Sequence, residues 1–181
     1  MDKASLRARM RTTGPLPPGV SDRVVAGLFT WLSSRLPGTI TAFLPMEGEV
    51  DLRSLFGRLP GWRWALPRVE PDRSVTFRDV DVPRETHPFG MEQPSDKGLV
   101  IPIHEIDVFL VPGLAFDRTG RRLGNGAGHY DRILASARPD AATVGIAPHL
   151  RIVEEVPVED HDVLVRWLAT EEGVISPLPK R

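Results

Sequence analysis

The chain has 181 residues, about the length of one domain, is 41% hydrophobic and 26% charged, and has a formal net charge of −1. Those values exclude a disordered or membrane-spanning chain and leave no global field that would attract nucleic acid or anionic lipid. The absence of cysteine excludes disulfides, thiol catalysis and Cys-ligated zinc, and 18 scattered prolines exclude a coiled coil and argue against an all-helical bundle.

In chain order, a short helix is predicted over 2–12, with Leu6 and Met10 on one face and Lys3, Arg7 and Arg11 spaced four apart on another. Its first residues carry no apolar signal core, so the expected location is the cytoplasm. A second helix fits 21–36, where Val24, Val25, Leu28, Trp31, Leu32 and Leu36 follow the 3.6-residue period. Residues 39–44 read as a buried strand stopped by Pro45. A third helix is expected from about Asp51 as N-cap, with Leu52, Leu55, Phe56 and Leu59 facing inward. Residues 62–66 read as a strand and 74–80 as an edge strand, while 81–105 read as loop with short pieces.

The clearest buried strand is 107–111. A loop over 112–127 follows, then a helix from near Gly128 that ends before Pro139. Residues 142–146 form another strand, and 162–168 a last strand or short helix. Alternation of strand and helix predicts an α/β fold: a three-layer α/β/α sandwich with a mostly parallel central sheet in a single domain over 1–175, followed by a flexible tail over 176–181. Ligands of such sheets bind outside the carboxyl ends of the strands. Three polar loops stand there, carrying Glu47, Glu49 and Asp51; residues 112–128; and His149 with Arg151.

Five of the 16 glycines lie between 113 and 128, and Gly124, Gly126 and Gly128 alternate. Their backbone can take positive φ and let an anion approach, and Arg121 and Arg122 precede them. Phosphate binding is the chemical reading; a glycine-rich turn that only closes a hairpin is the plainer one. The segment lacks the Gly-Lys-Ser/Thr ending of a P-loop, and His129 stands at the third glycine of GxGxxG. No serine or histidine sits in a nucleophile-elbow context.

This loop, Pro112 to Asp131, resembles that of the 5-formyltetrahydrofolate cyclo-ligase family, which reads approximately Pro-Gly-x-x-Phe-Asp-x-x-Gly-x-Arg-Leu-Gly-x-Gly-x-Gly-Tyr-Tyr-Asp. It differs in having His129 for the first tyrosine. Lys3-Ala4-Ser5-Leu6-Arg7, Phe43 to Asp51, Leu66-Pro67-Arg68-Val69 and Val156 to Asp162 resemble further family motifs in the same order. The resemblance implies conversion of 5-formyltetrahydrofolate to 5,10-methenyltetrahydrofolate with MgATP becoming ADP and phosphate. ATP would phosphorylate the formyl oxygen before N10 attacks. The alternative is a divergent member that binds nucleotide but takes another substrate or is non-catalytic.

The resemblance further implies roles for individual residues. Lys3, Arg7, Arg122, Gly124, Gly126, Gly128 and Tyr130 match ATP positions, with Arg121 a rival to Arg122. Asp131 and Asp162 match magnesium aspartates. Leu44, Glu49, Asn125 and His129 match folate positions, and Arg122 and Glu49 carry the catalytic assignment. The expected cofactors are ATP and Mg2+. The expected partner is a small-molecule folate, with neither nucleic acid nor membrane, and the chain is expected to act as a monomer. Histidine at 129 keeps a smaller flat ring, loses the hydroxyl and titrates near neutral pH. His149 is the one other histidine placed near the pocket; Trp31, Trp62, Trp64 and Trp167 read as core.

Overall fold

The structure, a computed structural model, describes residues 2–88 and 90–176. In chain order it runs α1 (Lys3–Arg11), α2 (Val20–Ser33), β1 (Thr39–Thr41), β2 (Arg63–Val69), β3 (Val75–Asp79), β4 (Arg84–Thr86), β5 (Glu92–Pro94) and β6 (Val100–Ile101). There follow β7 (Val108–Pro112), β8 (Ala115–Asp117), β9 (Arg122–Leu123), α3 (His129–Ala135), β10 (Ala142–Ile146), β11 (Ile152–Val153), β12 (Trp167–Thr170) and β13 (Gly173–Ile175). Among the described residues no helix is long and apolar enough to cross a membrane.

Eight strands form one sheet in the order β13-β12-β10-β7-β1-β2-β3-β6. The five central strands, β12 to β2, are parallel; β13 and β3 run antiparallel to them at the two sides, and β6 pairs antiparallel with β3. Alternation along β7 explains the layering. Val108 and Leu110 face the cluster built on α2, whereas Phe109 and Val111 face the cluster that includes α3. A strand buried on both faces must be apolar throughout, which is why 108–111 reads so clearly in the sequence. Trp62 and Trp64 are buried, and Trp31 meets Trp167 edge to face at 5.5 Å.

Phe116 of β8 lies across β10 in the α3 layer. A Cβ on Gly145 would fall 2.5 Å from its ring. Gly145→Ala is therefore expected to overpack this layer and cost about 1–3 kcal/mol, read as a lower denaturant midpoint with an unchanged slope.

Several elements differ from expectation, each for a local reason. The helix expected from Asp51 is a single 3₁₀ turn, Arg53–Leu55. The Asp51 carboxylate accepts from the Arg53 backbone N–H two residues on, a turn geometry that competes with helix capping. The segment is also too short before Gly57 and Pro60 to nucleate an α-helix. Its apolar residues are still inward: Leu52, Leu55 and Leu59 are buried.

Helix α2 stops at Ser33, so Leu36 is 92% exposed rather than inward. Pro37 disfavours helical geometry in the residue before it. Strand β2 runs through Pro67 to Val69. The Ala65 carbonyl faces β1, so alternation turns Pro67 to the same side, where β1 has already ended and no N–H is required.

Strand β3 is internal, flanked by β2 and β6. The 112–127 loop contains the hairpin β8–β9, closed by Asp117, whose Oδ1 accepts from Thr119 N, Thr119 Oγ1 and Arg121 N. Helix α3 ends at Ala135. The last expected element is the hairpin β12–β13 over 167–175, and residues 177–181 of the expected tail lie outside the described residues.

Candidate active site

From β1 the chain crosses one way to β2; from β7 it crosses the other way to β10 and β12. The crossovers diverge between β1 and β7, the position at which open α/β sheets hold ligands. A cleft of about 420 Å³ opens there, with Phe43 and Leu44 beyond β1 and Pro112 and Gly113 at the end of β7 along its wall.

Helix α1 docks through Leu6 and Met10 onto Leu114, Ala115 and Leu123 of the hairpin region and Val156. Asp2 caps the helix, accepting from Ser5 N at 2.7 Å. This docking brings Lys3 and Arg7 to the cleft wall; Arg11, one turn further on, is exposed and does not line it. Lys3 Nζ lies 2.6 and 2.9 Å from the two Asp162 oxygens and 3.5 Å from Glu159. Burial pushes the Asp162 carboxyl up, but the hydrogen bonds from Lys3 and the Glu159 N–H hold it below its ordinary range.

The hairpin decides between the two arginines. Adjacent residues of an extended segment point to opposite sides. Arg122 lines the cleft, almost fully buried, and its Nη2 pairs with Asp131 Oδ2 at 2.9 Å. Its Nε has no hydrogen-bond partner, and its guanidinium lies 5.7 Å from the Tyr130 ring centre. Arg121 does not line the cleft; it pairs with Glu155 at 2.8 Å.

The glycine run forms the floor beside these cations. A Cβ on Gly124 would sit 2.5 Å from Arg122 Nη1, so only glycine leaves the guanidinium where it is. Arg7 Nε donates to the Gly124 carbonyl at 3.0 Å. Gly126 has φ +108°, a conformation that side chains rarely adopt, and faces the Arg7 guanidinium. Gly128 leads into α3, which carries His129, Tyr130 and Asp131 along the cleft. With seven residues, α3 is shorter than the helix expected after this loop.

Burial, and next the nearby Glu49 carboxylate, push the Tyr130 phenol far above its ordinary range, outweighing Arg122, so it stands as a neutral donor. Burial, with Arg132 and His87 nearby, lowers the His129 imidazole from its ordinary value, so the ring is neutral at pH 7. Glu49 sits in a tight turn: its N–H donates to the Met46 carbonyl, and its Oε2 accepts from the Met46 N–H, both at 3.0 Å. Burial raises its carboxyl above the ordinary range, opposed by the Met46 N–H and by Arg151.

Every residue assigned from resemblance, from Lys3 to Asp162, lines this one cleft, Leu44 and Asn125 included. His149 does not; its Nδ1 is 3.1 Å from Glu172. His161 lines the cleft instead, as do Met91 and Gln93 on the β4–β5 ribbon. Gln93 is buried, accepting from Val69 N and donating to Glu85. No periodicity or motif in 81–105 marks these positions. Among the described residues no three acidic, histidine or cysteine side chains gather as a ready metal site. Asp131 and Asp162 offer two oxygen donor groups, which suit magnesium when phosphate oxygens and water complete its shell.

A 5-formyltetrahydrofolate cyclo-ligase from Mycolicibacterium smegmatis is 31% identical over 191 aligned residues, covering 96% of each chain. One from Escherichia coli is 33% identical over 144, covering 75% of this chain and 79% of that one. The solution structure of a 5,10-methenyltetrahydrofolate synthetase from Aquifex aeolicus superposes with a TM-score of 0.84 at 28% identity, covering 100% of this chain and 95% of that one. The family model for 5-formyltetrahydrofolate cyclo-ligases matches residues 6–171, and the chain belongs to that family.

Proposed function

We propose that the chain converts 5-formyltetrahydrofolate to 5,10-methenyltetrahydrofolate, with ATP becoming ADP and phosphate. The observation that carries this reading is the convergence on one cleft of cations, glycine floor and carboxylates drawn from both ends of the chain.

Lys3, Arg7 and Arg122 present three cations beside the glycine floor and would neutralise phosphate charge there. The orphaned Arg122 Nε is a donor for which the protein supplies no acceptor. Asp131 and Asp162 would hold magnesium, which when bound neutralises further phosphate charge. Both carboxylates are paired with the cations that the phosphates would take. Leu44, Asn125 and the neutral ring of His129 would form the wall for a flat folate ring, and Glu49 its polar anchor. All of these groups come from one chain, so a monomer suffices for the site.

The test is incubation of the purified protein with 5-formyltetrahydrofolate and MgATP. Methenyl-folate absorbance and ADP are expected to rise in equal amounts. No turnover by folded protein overturns the reading. Thermal stabilisation by MgATP with no response to folate would replace it with the divergent-substrate alternative.

His129 supplies a finer check. His129→Tyr enlarges the ring against which a folate would stack, and an aromatic pair contributes about 0.5–1.5 kcal/mol. The expected result is a KM for folate about 2- to 10-fold lower with kcat little changed. A higher KM would show that the cleft is shaped for the smaller ring.

A further inference from the structure

Arg151 lies at the end of the 3₁₀ turn His149–Arg151 that follows β10, far in sequence from the Glu49 turn it faces. It is only 5% exposed, and its Nε has no hydrogen-bond partner. A buried guanidinium with an unpartnered Nε is costly, and a nearby negative charge offsets that cost. Its Nη2 lies 2.7 Å from where a Cβ on Gly48 would be, so the guanidinium packs directly against the Gly48 backbone. Gly48 has φ +78°, which lets the turn fold back tightly and permits this approach. The next residue is Glu49.

Of the other groups that line the cleft, His161 faces Glu159 at 3.4 Å, Glu92 faces Arg84 at 3.9 Å, the His129 ring is neutral, and the cations have partners of their own. Lys3 is tied to Asp162, Arg122 to Asp131, and Arg7 to the Gly124 carbonyl. Tyr130, facing Glu49 from α3, is a neutral phenol. Glu47, on the same turn, is exposed and of like charge. Among the described residues Arg151 is thus the cation that acts on the Glu49 carboxylate, from its place against Gly48 and outside the cleft lining.

We propose that Arg151 is a positioning residue that fixes the Met46–Glu49 turn and keeps the Glu49 carboxylate ionised and aimed into the cleft. It touches no substrate; it works through Glu49. The functional consequence rests on the folate reading above, but the coupling itself does not, and the two are tested separately.

The carboxyl carbon of Glu49 is titrated by NMR in protein labelled at the glutamate side chains, with Glu49→Gln identifying the resonance. In Arg151→Gln the Glu49 midpoint is expected to rise by about one pH unit, the low end of what a nearby opposite charge contributes. Arg151→Lys keeps the charge and is expected to hold the midpoint near its wild-type value. An unchanged midpoint in folded Arg151→Gln overturns the proposal. So does an equal shift in the lysine and glutamine variants, since that would mark Arg151 as packing alone. Should Arg151→Gln fail to fold, Arg151→Lys against wild type decides: a midpoint raised by a full unit, despite the retained charge, overturns the assignment.

Where the wild type turns over folate, the acid limb of kcat/KM is expected to move to higher pH in Arg151→Gln, because Glu49 then stays protonated to higher pH. The limb should be insensitive to Arg151 in a Glu49→Gln background. Absence of folate turnover in wild type sinks the functional reading and leaves the titration result standing.

Discussion

Asp131→Asn is expected to lose about 10²–10³-fold of turnover, the scale on which removing one charge-stabilising group from a reaction site is felt. The substitution keeps size and shape, and an amide oxygen can still accept from Arg122 Nη2. What it removes is the negative charge that pairs with Arg122 and that would meet magnesium when the metal is bound. Both side chains are largely buried, so some stability is lost as well, and the melting temperature is expected to fall by several degrees without loss of the folded state. Turnover is read from ADP release and folding from circular dichroism. Activity within a few-fold of wild type would remove Asp131 from the metal assignment.

Gly124→Ala is the second large effect. The added methyl would fall 2.5 Å from Arg122 Nη1 and 3.4 Å from its Cζ. The end of an arginine is ordinarily free to move, but this one is buried and pinned by Asp131. Relief of the overlap therefore pulls Arg122 away from its carboxylate and from the phosphate position beside it. A hydrogen bond to a charged group contributes about 1.5–3 kcal/mol, so the KM for ATP is expected to rise about 10- to 150-fold. The KM for folate should change far less. If both constants rise together, the substitution has disturbed the whole cleft, and Arg122 loses its specific link to phosphate.

These residues could be named from sequence because each sits in a motif whose spacing survives without a structure. Strands 107–111 and 142–146 were legible for a related reason: central parallel strands are apolar on both faces, and a proline follows each run within two residues. The hairpin inside the 112–127 loop was harder to see. Its strands are two and three residues long, and its turn is made by one buried aspartate, Asp117, whose three accepted hydrogen bonds no spacing reveals. Yet that hairpin settles which arginine enters the cleft, since only chain direction through β9 separates Arg121 from Arg122.

The expected helix at Asp51 failed for the opposite reason. Its inward positions follow a helical period because the segment is buried, and burial imposes periodicity even on a chain that makes only one 3₁₀ turn. Arg151 was named only as part of a polar loop. Its partner lies on a turn distant in sequence, and no spacing links the two. The ribbon residues Met91 and Gln93 were invisible for the same reason: their place on the cleft wall comes from the pairing of β4 with β5, not from any local pattern.

The pairing of Lys3 with Asp162 and of Arg122 with Asp131 has a kinetic consequence. Each pair cancels in place, so of the three cations beside the glycine floor only Arg7 is left without a carboxylate partner. Long-range attraction of anions is then weaker than three unpaired cations would give, and the association rate of nucleotide should vary correspondingly less with ionic strength. The charges become available when a ligand bringing both signs exchanges partners with each pair. A phosphate without its metal, or a metal without its phosphate, would strand one member of each pair, so the paired arrangement favours the complete ligand over either part alone.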